Sequence, residues 1–83
     1  MISYTVQILC HVKMNIYVKI GSLIMKARRD RGLSQEDLAF SCGVSQAWIN
    51  KVELGKSKIS IEFLYRVSNS LNCDVSIFLP SEK

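Results

Sequence analysis

From Ile2 to Ile20 every even position is apolar: Ile2, Tyr4, Val6, Ile8, Cys10, Val12, Met14, Ile16, Val18 and Ile20. Most odd positions between them are polar, and Leu9 and Tyr17 are the breaks. A period of two, rich in β-branched residues, predicts a strand with one buried face. The period then changes. Ile16, Ile20, Leu23, Ile24 and Ala27 share a helical face, with charges at Lys26, Arg28, Arg29 and Arg31. Residues 16–20 satisfy both patterns, so the boundary falls among them. Gly32 is a natural stop for this first helix.

Three serines mark later helix starts. Ser34 with Asp37 resembles a capping box, and Glu36 and Asp37 suit the positive end of a helix dipole. This second helix runs to about residue 42. Ser45 caps a third helix, about 46–54, and "LGKSK" follows as a loop. Ser60 caps a fourth, about 61–71, with Phe63, Leu64 and Val67 inward. Asp74 caps a short fifth helix, 75–79, which Pro80 closes.

The helices around Gly43 fit each other. Leu38 and Cys42 lie four apart on one face, and Ile49 and Val52 form the matching face of the next helix. Ala39 is small enough for a close crossing, Val44 plugs the turn, and Gly43 supplies positive φ. This spacing describes a helix-turn-helix. With Ile49 and Val52 inward, Gln46, Ala47, Asn50 and Lys51 face outward. Gln and Asn can pair bidentately with adenine, Lys can donate to guanine, and Ala admits a thymine methyl group. The competing interpretation of these four is an ordinary solvated helix face.

Composition narrows the picture further. A chain of 83 residues is one domain by default, and its 48% apolar content argues against disorder. The net charge of +4 suits a polyanionic partner, or simply a solvated surface. Lys26, Arg28, Arg29 and Arg31 form one basic group and Lys51, Lys56 and Lys58 a second. The three cysteines, Cys10, Cys42 and Cys73, have no metal-type spacing. They read as reduced thiols, with Cys42 and Cys73 as small core hydrophobes. No metal or other cofactor is implied. No apolar run is long enough to span a bilayer and no signal peptide is apparent, so a cytoplasmic protein is expected. An enzyme is not expected, because His11 stands alone, no nucleophile–base pair is suggested, and no Gly-rich phosphate loop occurs.

Residues 20–80, with "GLSQEDLA", "GVSQ", "INKVELGK" and "DVSIFL" in that order, resemble the Cro/repressor-type (XRE-like) helix-turn-helix family of bacterial and phage regulators. The resemblance implies a mainly α, compact five-helix repressor-like DNA-binding domain over residues 16–80. The third helix would enter the major groove, and the protein would act as a homodimer on palindromic double-stranded operator DNA. Gln35 would bind a phosphate at the second helix N-terminus. Ser45, Trp48, Lys56, Ser57 and Lys58 would also hold phosphates, although Trp48 reads equally as the edge of the core. Arg28 and Glu53 would form a structural ion pair. Val75, Ile77 and Phe78 are dimer-contact candidates, with core as the alternative.

The resemblance does not cover residues 1 to about 18, which hold the added N-terminal β-strand of residues 1–15, nor the tail 81–83. A single strand leaves backbone groups unpaired. Pairing with the same strand of a second subunit, through a dimer interface including Ile2, Tyr4, Val6 and Ile8, is one solution. Packing on its own domain is another, and a loose extension a third. The long apolar strand also admits a different function, an antitoxin-type or other module that binds a partner protein and uses DNA only for autoregulation.

Overall fold

The computed structural model of the chain describes residues 16–79. Four α-helices follow one another: α1 (Ile16–Asp30), α2 (Gln35–Cys42), α3 (Gln46–Glu53) and α4 (Ile61–Leu71). A 3-10 turn, Val75–Phe78, closes the domain.

Local chemistry sets these bounds. Ser34, Ser45 and Ser60 each accept, through Oγ, the backbone N–H of the third helical residue: Asp37 at 3.0 Å, Trp48 at 3.1 Å and Phe63 at 3.1 Å. At α2 the capping box is complete, because Ser34 N–H also donates to Asp37 Oδ2 at 3.0 Å. All four helices end alike. Leu33, Val44, Lys56 and Cys73 donate back to the carbonyls of Arg28, Ala39, Lys51 and Ser68 at 2.9–3.1 Å. The residue before each donor, Gly32, Gly43, Gly55 or Asn72, is left-handed. This is the Schellman closure, and it satisfies carbonyls that each helix would otherwise leave open.

The core is one cluster. Ile20, Ile24 and Ala27 of α1 meet Leu38, Ala39 and Cys42 of α2, Ile49 and Val52 of α3, and Phe63, Leu64, Val67 and Leu71 of α4. The 3-10 turn packs on α1 and α4 and inserts Phe78, which has no exposed surface. Burial of side chains this large stabilises by about 1.5–3 kcal/mol each.

The expected fold needs correction on two counts. The described residues contain four α-helices rather than five, because residues 75–78 form only the 3-10 turn. Asp74 does cap it, its carboxylate accepting Ser76 N–H at 2.9 Å. Leu79 is extended at φ −96° and ψ 122°, as sterics demand of a residue before proline. The segment is therefore too short for an α-helical ladder. The described residues also contain no strand. The alternation that placed Ile16, Val18 and Ile20 on one buried strand face continues into α1, where Ile20 is buried while Ile16 and Val18 are exposed. Helical packing of Ile20 with Ile24 outweighs the β preference of the branched residues. The rest of the expected strand and the dimer contacts Ile2, Tyr4, Val6 and Ile8 lie outside the described residues.

Two glycines fix how α1 lies on α3. A Cβ on Gly21 would stand 2.7 Å from the Glu53 carbonyl oxygen and would collide with that of Val52. A Cβ on Gly55 would collide with the Val18 backbone, where its amide N lies 2.7 Å away. The N-terminal half of α1 thus rests directly on the last turn of α3, main chain against main chain. That contact supports the helix whose other side faces solvent.

Candidate nucleic-acid interface

α3 has two distinct sides. Ile49, Val52 and Glu53 are buried, whereas Gln46, Ala47, Asn50 and Lys51 are exposed together. Residues 43–45 connect α2 to α3, with Gly43 at φ 74°. Ser45 is the exposed cap of α3. Trp48 is half-buried and stands edge-on to Phe63, ring centroids 6.3 Å apart at 79°. It fills the edge of the core. Lys56 and Lys58 are exposed on the loop after α3, with Ser57 half-buried between them. Among the described residues, no ion pair engages Lys51, Lys56 or Lys58. Three exposed ammonium groups with no carboxylate partner among the described residues suit an anionic ligand.

The base of this surface is a polar network. Arg28 Nε donates to Glu53 Oε2 at 2.6 Å and Nη2 to Oε1 at 3.1 Å. Arg28 Nη1 donates to the Leu33 carbonyl at 2.7 Å, so the guanidinium also fastens the α1–α2 connection. Both residues are buried, at 7% and 3% exposure, and a buried pair is tolerable only when its remaining groups are bonded. Gln35 completes it. Its Nε2 donates to Glu53 Oε1 at 3.0 Å and to Asn50 Oδ1 at 3.2 Å. Its Oε1 accepts from Gln46 Nε2 at 2.9 Å. One half-exposed amide thus joins the buried pair to two exposed residues of α3. Both of its N–H protons are taken inside the protein, so a phosphate bond from Gln35 would require one to be released.

Two carboxylates outside this network are perturbed. Asp37 is held below the usual carboxylate range by the Ser34 backbone N–H and the Ser34 hydroxyl. Asp74 is lowered in the same way by Ser76. Both support helix starts rather than the α3 surface.

The dimer candidates divide. Phe78 is fully buried in its own chain and Val75 packs against the core, so they take the core alternative, while Ile77 is 47% exposed. Cys42 is buried and Cys73 half-buried, both as free thiols. The network through Gln35 and the seat of Gly21 are additions that periodicity did not reveal. One signal for the first was present: Ser34–Gln35 and Ser45–Gln46 repeat the same pair at two consecutive helix starts.

Two short helices joined by a left-handed glycine, with the second presenting polar side chains from a rigid support, define a DNA-binding helix-turn-helix protein. The chain belongs to the helix-turn-helix family of Cro/repressor (XRE) type, whose family model matches residues 24–78. It is a transcriptional regulator by family. It is 33% identical over 64 residues to the uncharacterized HTH-type transcriptional regulator y4mF of Sinorhizobium fredii, covering 77% of this chain and 84% of that one. It is 28% identical to the ImmF control region 10 kDa protein of Bacillus phage phi105, covering 77% and 71%. Among solved structures it resembles the restriction-modification controller protein C.AhdI from Aeromonas hydrophila. That match has a TM-score of 0.73 and 28% identity, covering 76% of this chain and 91% of the other.

Proposed function

We propose that the protein binds specific double-stranded DNA as a homodimer, placing α3 in the major groove of each half of a palindromic operator. The observation that carries this reading is the shared exposure of Gln46, Ala47, Asn50 and Lys51 on one side of a helix whose other side is buried. Gln46 and Asn50 offer both donors and acceptors to base edges, Ala47 leaves room for a thymine methyl, and Lys51 reaches guanine. Lys56, Ser57 and Lys58, with the cap at Ser45, grip phosphates and set the register. One helix reads only a few base pairs, so two copies on half-sites about 34–36 Å apart supply the affinity and specificity. Exposed Ile77 is the dimer contact retained from the sequence, and the exposed apolar residues Ile61 and Tyr65 of α4 add to the available surface. The function is binding, carried out where the DNA is, in the cytoplasm.

Selection of bound sequences from a random duplex pool tests this reading. Enriched sites form two related half-sites, and the affinity for them falls steeply with salt. Sedimentation of the complex gives two chains per site. A pool from which nothing is enriched, or a single chain bound to a single half-site, overturns it.

A further inference from the structure

We propose that the cleft between the α3–α4 loop and the first turns of α4 binds a one-ring aromatic carboxylate, and that the bound ligand displaces DNA. Binding is a property of the cleft alone, whereas the effect on DNA rests on the proposed phosphate grip of Lys58. The cleft has a volume of about 290 Å³ and a mainly apolar lining. An apolar cavity of about 150 Å³ already accepts benzene, and sites for drug-sized ligands begin at about 300 Å³. The space therefore suits a single ring with a short polar substituent. Its walls are Trp48, Ile59 and Phe63. The two aromatic rings stand at 79° to each other with centroids 6.3 Å apart. A ligand ring laid on the face of Trp48 thus meets Phe63 edge-to-face, and both contacts take a favoured aromatic geometry.

The rim selects the charge. Two cations, Lys58 and Arg66, stand there with one carboxylate, Glu62. Lys58 has no ion-pair partner among the described residues. Arg66 is loosely held, reaching Glu62 at 3.5 Å and the Cys42 carbonyl at 3.4 Å, whereas the bonds of Arg28 are 2.6–3.1 Å. An exposed pair at such a distance contributes little, so Arg66 can turn to a better acceptor at small cost. Ser60 also lines the cleft. Its Oγ accepts the Phe63 N–H, which leaves the hydroxyl proton to donate to a ligand. Donors and positive charge are in surplus beside apolar rings, and an aromatic carboxylate complements both. Lys58 belongs to the cleft and to the exposed loop after α3 alike. A carboxylate held by it neutralises charge offered to a DNA phosphate, so ligand and DNA compete.

Trp48 is the chain's only tryptophan, so its fluorescence reports on the cleft directly. Titration of the full chain with sodium benzoate gives a saturable change with a midpoint on the order of 1 mM, the range open to so small a ligand. Acetate, which lacks the ring, and benzyl alcohol, which lacks the charge, bind about ten-fold more weakly. Arg66→Gln weakens benzoate about five-fold. Glu62→Gln removes the opposing carboxylate and tightens it about two-fold. Both side chains are exposed, and each variant is checked for wild-type helicity and melting. No saturable change, equal binding of benzyl alcohol, or variants that bind as wild type does overturns the site. Should Arg66→Gln fail to fold, the tightening in Glu62→Gln decides alone. The competition is read with the selected duplex, in benzoate or in acetate of equal ionic strength. At about five times its dissociation constant benzoate lowers wild-type affinity for DNA about five-fold, and the same concentration lowers that of Arg66→Gln only about two-fold. No loss, or an equal loss in both proteins, overturns the displacement of DNA. A wild type that binds benzoate and no DNA overturns the proposed function while leaving the site in place.

Discussion

Arg28 of α1 grips Glu53 at the end of α3 through two nitrogens, at 2.6 and 3.1 Å, with both side chains almost wholly withdrawn from water. Removing one partner leaves the other buried and unpaired. Arg28→Ala therefore destabilises the domain by about 3–5 kcal/mol. Equilibrium urea unfolding of the full chain measures this, and a wild-type midpoint would contradict it.

The seat of α1 on α3 makes a second prediction. Gly21→Ala drives a methyl group into the carbonyls of Val52 and Glu53, which are backbone and cannot swing aside. The helices must separate, at a cost of about 1–3 kcal/mol. An alanine in mid-helix normally stabilises relative to glycine, so even the sign is diagnostic in a thermal melt.

Acid should weaken the start of α2. Asp37 is held below its ordinary value of 3.8 by Ser34, so its contribution is fully present above that pH and is lost as pH falls through the lower folded value. Asp37→Asn keeps the shape and removes the charge. It melts below wild type at pH 7, and the gap narrows steadily below about pH 4. Asp74 titrates in both proteins and cancels from the difference. A gap independent of pH would refute the assignment.

On DNA, Lys51 and Lys58 should behave differently. Lys51→Ala relaxes the preference at one base pair by about 1–3 kcal/mol. Lys58→Ala weakens every site alike and lowers the salt slope by about 1. Binding titrations over several salt concentrations, with matched and altered sites, separate them, and identical behaviour would remove the division between reading and gripping.

Much of the fold was legible because its signals are local. Ser34, Ser45 and Ser60 announce helix starts within three residues of the groups they bond, and Gly32 and Gly43 announce ends in the same way. The exposed side of α3 follows from the burial of Ile49 and Val52. What escaped depends on distance along the chain. Gly21 reads as an indifferent residue within an apolar helical pattern, because the carbonyls it meets belong to another helix. Gln35 bonds residues 11, 15 and 18 positions away, and no periodicity connects those. At Ile16–Ile20 two periods overlap, and only tertiary packing chooses the helix. At Val75–Phe78 the helical cap was genuine, but the proline-imposed extension of Leu79 cut the element short.

The Gly21 contact has a consequence for how such a regulator can change. The tilt of α3 against α1 is set where carbonyl oxygens meet a residue without a side chain, so core volume has little leverage on it. Apolar residues can be exchanged for others of similar bulk, altering thermal tolerance while the angle of presentation persists. Conversely, under the proposed function, replacements at exposed Ala47 and Lys51 would alter what α3 presents while that seat stays as it is, whereas replacements at Gln46 or Asn50 would also disturb the bonds to Gln35.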